Sequence, residues 1–481
     1  MILSAAPVAP MAADQLLLLL LQIGLLLGVA LVLGRLALRL GMPALVGELC
    51  AGVLLGPSVL AHAVPDLSSW LLPHDPGQTH MLDAVGQIGV LLLVGITGMN
   101  VDLAVVRRRG ATAAWVSAGG LLVPLAAGVA VGFALPAAML GEGADRTVFA
   151  CFVGVALCVS AIPVIAKTLL EMRLLHRDVG QLIISASAVD DVAGWLLLSV
   201  VSAMTTTGLR AGDVALTVVR LLVLIVLAVT VGRFAVRGVL RLSAKSAEPG
   251  VTVAAATIVV LLFGAGTQAL GMEAIFGALL GGILIGSSEW VDRPRLAPLR
   301  TFVMAVLAPL FFATAGLRMD LTALARPVVL VSGVVVLLVA VAAKFAGVYG
   351  TARAVRLGHW DALALGAGMN ARGVIEVIIA MAGLRLGVLT TEMYTIVVLV
   401  AIATSVLAPP VLRYAVRRID VTDEERDRER ALVGGRPPVR RNAEDAVASS
   451  RGDAGRTAVL VDDGEPPAPA ARREARWSER I

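Results

Sequence analysis

The sequence predicts an all-α, polytopic membrane protein, and three observations predict it. Of its 481 residues 58% are hydrophobic, and the mean hydropathy is +0.89; soluble domains sit near roughly 45–50% apolar. Apolar stretches recur at about the 20-residue length a helix needs to cross the hydrocarbon core. Basic residues concentrate in alternate connecting segments, the pattern of a chain whose loops face two compartments.

Thirteen helical spans are expected, at about residues 15–38, 43–58, 83–100, 112–137, 147–169, 180–204, 213–232, 251–268, 272–287, 297–316, 327–350, 361–384 and 391–412. The first is an apolar run from Leu16 with no Lys or Arg before it, so it reads as a span and not as a cleaved signal peptide. The second and ninth are short for a full crossing. Segments after odd-numbered spans hold Arg35 and Arg39, Arg107 to Arg109, Lys167 with Arg173 and Arg177, Arg233 through Lys245, Arg293 to Arg300, and Arg353 with Arg356. Those 17 basic residues face only five after even-numbered spans: Arg146, Arg210, Arg318, Arg326 and Arg385. The asymmetry predicts an N-terminus outside and a C-terminus in the cytoplasm.

The same rule accounts for the net charge of +5, so no nucleic-acid partner is expected. Cys50, Cys151 and Cys158 lie in apolar runs without disulfide or metal spacing. Arginine supplies all basic residues but Lys167, Lys245 and Lys344; with abundant Ala, Gly and Val, this suggests a GC-rich bacterial genome and a cell-membrane protein. Beyond Tyr414 the chain turns charged and poor in large apolar residues. Residues 1–414 are therefore expected to form the membrane domain and 415–481 a disordered cytoplasmic tail. The tail is too short for a nucleotide-binding domain and lacks its Gly-rich fingerprint, so no cofactor is expected.

Two spans are interrupted at matching places. The fifth carries "CVSAIPVIAK", where Pro163 removes a backbone donor in mid-span. The twelfth carries "GAGMNARGVIEV", where glycines flank Asn370 and Arg372. With span seven as a linker, spans 1–6 and 8–13 become two six-helix units of opposite orientation, each broken in its fifth helix. Interrupted helices at corresponding positions in inverted halves point to a transporter's midplane binding site. The competing reading is that Pro and Gly are common in membrane helices.

Charges inside the spans carry the chemistry, because each costs at least ~2.5–3.5 kcal/mol on insertion scales and generally marks an ion pathway. "SASAVDDVAGW" places Asp190 and Asp191 side by side, and no other formal charge lies between Leu182 and Met204. On a helix they point about 100° apart and can serve different partners in one cavity. Two close carboxylates repel, which favours one of them taking up a proton. Lys344 can hold one ionised while the other alternates between a proton and a metal cation; unlike Arg, a desolvated Lys can also release its proton. Arg372 and Glu376 lie four apart on one helix face and read as a structural pair. Glu48 reads as structural too.

Several motifs occur together and in order: "VGELCAGVLLGPSVL", "VSAIPVIAKTLLEMRLL", "SASAVDDVAGWLLL", "FGALLGGILIG", "APLFFATAGLRMDL" and "MNARGVIEVII". Over residues 15–412 the chain resembles the monovalent cation/proton antiporter superfamily, in the branch of bacterial sodium/proton and potassium/proton exchangers and plant cation/proton exchangers. The resemblance implies a homodimer whose dimerisation domain flanks a core with two crossed, broken helices. It implies Asp191 as the cation- and proton-binding residue, and Asp190 at the place that is Asp in electrogenic members and Asn in electroneutral ones. Lys344 resembles the lysine that pairs with that first Asp, and Ser160 stands where relatives often carry Thr. Asn100 departs from the pattern, since many relatives have an acidic residue there.

The expected activity is exchange of Na⁺ or K⁺ for protons, with no enzymatic reaction, and with two protons per cation. Electroneutral or organic-cation exchange is the alternative within the class. An intramembrane aspartyl protease needs its two aspartates on different helices, which adjacent residues cannot provide. A cation channel is the rival from another class, and it would move cations without protons in reconstituted flux.

Overall fold

Helix α1 (Ala13–Arg39) shows how the bilayer dictates two faces. Gln22, Leu26, Ala30, Gly34 and Ala37 recur every three or four residues and are buried in one stripe, while Leu20, Leu31 and Leu36 are exposed on the remaining surface. Apolar side chains face outward here because lipid, unlike water, does not penalise them. The computed structural model describes residues 12–72, 76–99, 110–161, 165, 168–169, 172, 174, 176–207, 219, 223–246, 248–270, 272–291, 293–423 and 425–426.

After α1 come α2 (Ala44–Leu55), α3 (Pro76–Met99), α4 (Gly110–Ala134), α5 (Arg146–Cys158), α6 (Asp178–Thr207) and α7 (Arg233–Ser243). There follow α8 (Pro249–Ala269), α9 (Ala274–Gly286), α10 (Ala308–Leu317), α11 (Pro327–Ala354), α12 (His359–Met369), α13 (Val374–Arg385) and α14 (Thr391–Val416). The described residues are all-helical, and ten helical stretches among them are long and apolar enough to cross a membrane. Three of these extend beyond a single named helix: Ala44–Ala63 through α2, Val223–Ser243 through α7 and Pro294–Leu317 through α10. The ten become eleven when α12 and α13, bent by 44° at their break, count as one span. At the expected fifth and ninth spans stand shorter helices, α5 and α9, of 13 residues each. At about 1.5 Å per residue each covers some 20 Å, less than the ~30 Å hydrocarbon core. The end of span three at Asn100, the break at Pro163, most of residues 208–222 and the tail beyond Arg426 lie outside the described residues.

The helices pack in two sets. In one, α2 lies between α1 and α10, and α9 between α8 and α3. The short helices are clasped in the same way. A Cβ on Gly47 would come within 2.1 Å of the Leu33 carbonyl oxygen of α1, and one on Gly52 within 1.9 Å of that of Ala313 on α10. On α9, a Cβ on Gly277 would come within 2.1 Å of the Phe263 carbonyl oxygen of α8, and one on Gly282 within 2.1 Å of that of Gly95 on α3. Small residues let the backbones touch, which is how membrane helices associate without a hydrophobic driving force between them.

In the other set α4 packs on both α5 and α11, α12 lies against α11 and α14, and α6 runs against α4, α5, α12 and α13. Helices α4 and α11 approach to backbone contact at Gly119 and Gly347, where a Cβ on Gly347 would sit 2.2 Å from the Gly119 carbonyl oxygen. That close crossing brings Lys344, three residues earlier on α11, towards α4 and α6.

Candidate functional site

Helix α5 stops at Cys158 because Val159 is extended, with ψ near 145°. Helix α12 stops at Met369, and α13 starts afresh at Val374. The two interruptions meet: the Ala161 N–H donates to the Ala371 carbonyl at 3.2 Å, and the Ser160 hydroxyl lies 2.9 Å from the Met369 carbonyl oxygen. Two half-helices thus end at one place with their last carbonyls unpaired within the helix, a local excess of negative potential.

Lys344 and Asp190 fill that place. The Lys344 ammonium donates to Asp190 Oδ2 at 2.6 Å and to the Cys158 carbonyl at 2.7 Å, and both side chains are 0% exposed. Ser117 on α4 donates to Asp190 Oδ1 at 2.5 Å, while Ser160 Oγ lies 2.9 Å from Oδ2. Ser160 has a single hydroxyl proton, so it serves Asp190 or Met369 but not both at once. Removing an ammonium and a carboxylate from water costs several kcal/mol per ion, which the pairing, the two serine hydroxyls and a half-helix carbonyl together offset.

Asp191, the next residue, is buried at 2% exposure. Ser187 and Trp195 lie one turn to either side of it on the same helix face. Both are buried, and neither the Ser187 hydroxyl nor the Trp195 indole N–H has a hydrogen-bond partner among the described residues. Buried polar groups left open in this way normally need an explanation, such as an ion or water that the site accommodates.

Asn370 is 7% exposed and donates to the Val341 carbonyl of α11 at 3.2 Å, with its side-chain oxygen accepting nothing among the described residues. Arg372 is wholly buried. Its guanidinium donates to the carbonyls of Ala340 at 2.9 Å and Ala156 at 3.4 Å and lies 3.5 Å from Glu376 Oε1. Its own carbonyl accepts the Ser405 hydroxyl of α14. It therefore ties α5, α11, α13 and α14 together behind the crossing. Glu48 sits on α2 in the first set, against Gly34 of α1. The structure thus gathers Asp190, Lys344 and Ser160 into one cluster beside Asp191, holds Arg372 and Glu376 as a neighbouring post, and keeps Glu48 apart.

Sequence reasoning did not single out Ser117 or Ser187. Ser117 had a signal, a polar residue just before Gly119 and Gly120 in an apolar span, which marks a close helix crossing. Ser187 also had one, since it lies four residues before Asp191. The Cys158 carbonyl had none, because every residue carries a carbonyl.

A family model described as sodium/hydrogen exchanger, transmembrane, matches residues 26–418. The Na⁺/H⁺ antiporter NhaS4 of Synechocystis is 30% identical over 404 residues, covering 84% of this chain and 98% of that protein. Cation/H⁺ antiporter 20 of Arabidopsis thaliana is 31% identical over 409 residues, which cover 82% of this chain but only 48% of the plant protein. The Na⁺/H⁺-K⁺ antiporter GerN of Bacillus cereus is 26% identical over 82% of this chain and 95% of its own length. Among solved structures, the sodium proton antiporter MjNhaP1 of Methanocaldococcus jannaschii shares the fold, with a TM-score of 0.62 at 16% identity over 84% of this chain and 99% of that one.

Proposed function

Because the chain belongs to the sodium/hydrogen exchanger family, multi-pass membrane transporters and not enzymes, we propose that it exchanges Na⁺ or K⁺ for protons by alternating access, with Asp191 as the shared cation and proton site. The observation that carries this reading is the buried Asp190–Lys344 pair at 2.6 Å, set beside Asp191 where two interrupted helices meet. Asp191 supplies the charge a cation needs, and Ser187 Oγ with the Asn370 side-chain oxygen are candidate neutral ligands. Among the described residues no group of three or more His, Cys, Asp or Glu forms a metal-holding cluster. One carboxylate with neutral oxygens suits a weakly held monovalent ion that must also leave.

The proposed cycle is electrogenic. A cation binds Asp191, and Lys344 gives up its proton and leaves Asp190 to the two serine hydroxyls. On the return stroke one proton occupies Asp191 and another restores the Asp190–Lys344 pair. Two protons against one cation move one net charge, worth about 2.3 kcal/mol per 100 mV. Electroneutral exchange is the second reading, and one observation favours it: Asp190 accepts from Lys344 and Ser117, with Ser160 as a third donor whenever its proton is turned from Met369, the satisfied state of a structural carboxylate. Proteoliposomes loaded in turn with Na⁺, K⁺ and Li⁺, with internal pH followed under imposed voltage, test both. Cation flux without proton movement removes antiport and leaves a channel; proton-coupled flux indifferent to voltage leaves antiport and removes the two-proton cycle.

The architecture proposed with it is thirteen membrane segments in two inverted six-helix repeats, crossing at the broken helices, with a flanking dimerisation domain and a homodimer. The repeat is supported by the matching clasps on α2 and α9: Gly47 and Gly52 are spaced like Gly277 and Gly282, and in each pair the first glycine meets a helix of its own half (α1, α8) and the second a helix of the other half (α10, α3). Residues 1–414 are proposed as the transport domain of a bacterial cell-membrane protein, with the N-terminus outside and residues 415–481 as a cytoplasmic tail.

A further inference from the structure

Glu425 lies far from the ion centre in sequence and is 3% exposed. It and Thr422 satisfy each other just beyond α14. Glu425 Oε2 accepts the Thr422 N–H at 3.0 Å, and Thr422 Oγ1 accepts the Glu425 N–H at 3.3 Å, the reciprocal pattern of a capping box. The other carboxylate oxygen, Oε1, accepts the backbone N–H of Asp178 at 2.7 Å. Asp178 is the first residue of α6, and N–H groups there have no partner within their own helix. Arg177, 6% exposed, completes the clamp: its Nε lies 3.1 Å from Glu425 Oε2, and its Nη2 donates to the carbonyls of Ile419 at 3.0 Å and Asp420 at 3.1 Å. One carboxylate therefore caps two segments at once, and the second is the helix that carries Asp190 and Asp191.

We infer that Glu425 is a positioning residue for exchange: by holding Arg177 and the first N–H of α6, it fixes where along its axis the ion-carrying helix sits. It acts through α6 and not on the ion, since Asp190 lies twelve residues further on, about 18 Å along the helix. Among the described residues its hydrogen-bond and ion-pair partners are Asp178 at the start of α6, Arg177 just before it and Thr422 after α14, so the clamp sets α6 within its own set of helices. The inference rests on the antiport reading, and one arm of its test is independent of that reading.

The test compares the full-length protein with Glu425→Ala, Glu425→Gln and Arg177→Gln in proteoliposomes, measuring cation-dependent proton flux per folded transporter, cation KM, and amide hydrogen exchange over residues 178–184. Loss of a hydrogen-bonded charge at this end should lower the maximal rate of Glu425→Ala about tenfold. Its cation KM should stay within about twofold, because the ligands themselves are untouched. Amide exchange over 178–184 should accelerate, and Glu425→Gln, which keeps an acceptor, should fall between Ala and the native protein. A clamp that merely closes the fold would reduce yield or Tm and leave the rate per folded transporter unchanged; that result overturns the inference, as does a changed KM at constant maximal rate. If the native protein moves no protons against any cation, the antiport reading fails, and the amide-exchange arm still decides whether Glu425 holds α6.

Discussion

Two ion pairs lie wholly inside this protein within a few residues of the same crossing, and they are built differently. Lys344 and Asp190 come from different helices, lie 2.6 Å apart, and share their surroundings with hydroxyls that can turn. Arg372 lies within the break between α12 and α13 and Glu376 in the first turn of α13; they lie 3.5 Å apart, and the arginine is committed to two backbone carbonyls besides. Burial is the same in both, so burial does not separate the pair proposed to work in exchange from the one proposed to be structural. The separation lies in the cation's chemistry and its partners: an ammonium can give up a proton when its acceptor has other donors, and a guanidinium cannot. Asp190 has those other donors in Ser117 and Ser160.

The largest expected effect lies beside the first pair. Asp191→Asn should abolish exchange while the protein stays folded, because an amide cannot alternate between proton and cation. Cation-coupled proton flux in that variant at a substantial fraction of the native rate would remove the site assignment.

The next contrast swaps the two cations. Lys344→Arg keeps a buried positive charge but fixes its proton, so any remaining exchange should lose its response to imposed voltage. Arg372→Ala leaves Glu376 and two carbonyls buried without their donor, and breaking such a pair costs about 3–5 kcal/mol of stability. It should appear as a lower thermal unfolding temperature, with the voltage response of the surviving folded fraction intact. A voltage response that survives Lys344→Arg and vanishes in Arg372→Ala would reverse the roles of the two pairs.

Ser117→Ala should act more gently. It removes one hydrogen bond to a charged group, about 1.5–3 kcal/mol, and leaves Asp190 with Ser160 as its donor once Lys344 is neutral. Slower exchange that Ser117→Thr restores is expected; a rate unchanged by Ser117→Ala would show that the second hydroxyl is dispensable to the cycle.

The smallest effect concerns pH at the other end of α6. Burial acts to raise the Glu425 carboxyl, but the N–H groups of Asp178 and Thr422 and the charge of Arg177 outweigh it and hold the group below the usual glutamate range. A depressed folded value means that the clamp's stabilisation is present above the ordinary glutamate range and lost as pH falls through the folded value. Amide protection at the start of α6 should therefore be level from neutral pH down through that range and drop only in stronger acid. Loss of protection near neutral pH would contradict this.

The class of the protein was legible without coordinates, because a hydrocarbon core about 30 Å thick imposes length and apolarity on any helix that crosses it. Asp190, Asp191 and Lys344 stood out as candidates in the same way, since a charge in an apolar span is expensive enough to need a purpose, and the structure buries all three. The order of the motifs carried the family, and the family match over residues 26–418 agrees with it. What the sequence did not contain is which groups touch. Ser117 is an ordinary serine until the Gly119–Gly347 crossing brings α11 and α4 together around Asp190. The carbonyls of Cys158 and Met369 become acceptors for Lys344 and Ser160 only because both helices stop at one place. Glu425 meets Arg177 across 248 positions of chain, and no periodicity reaches that far. Hydropathy and charge are properties of single residues and survive in one dimension, whereas hydrogen bonds at 2.5–3.0 Å depend on where helices cross, and that is decided by packing.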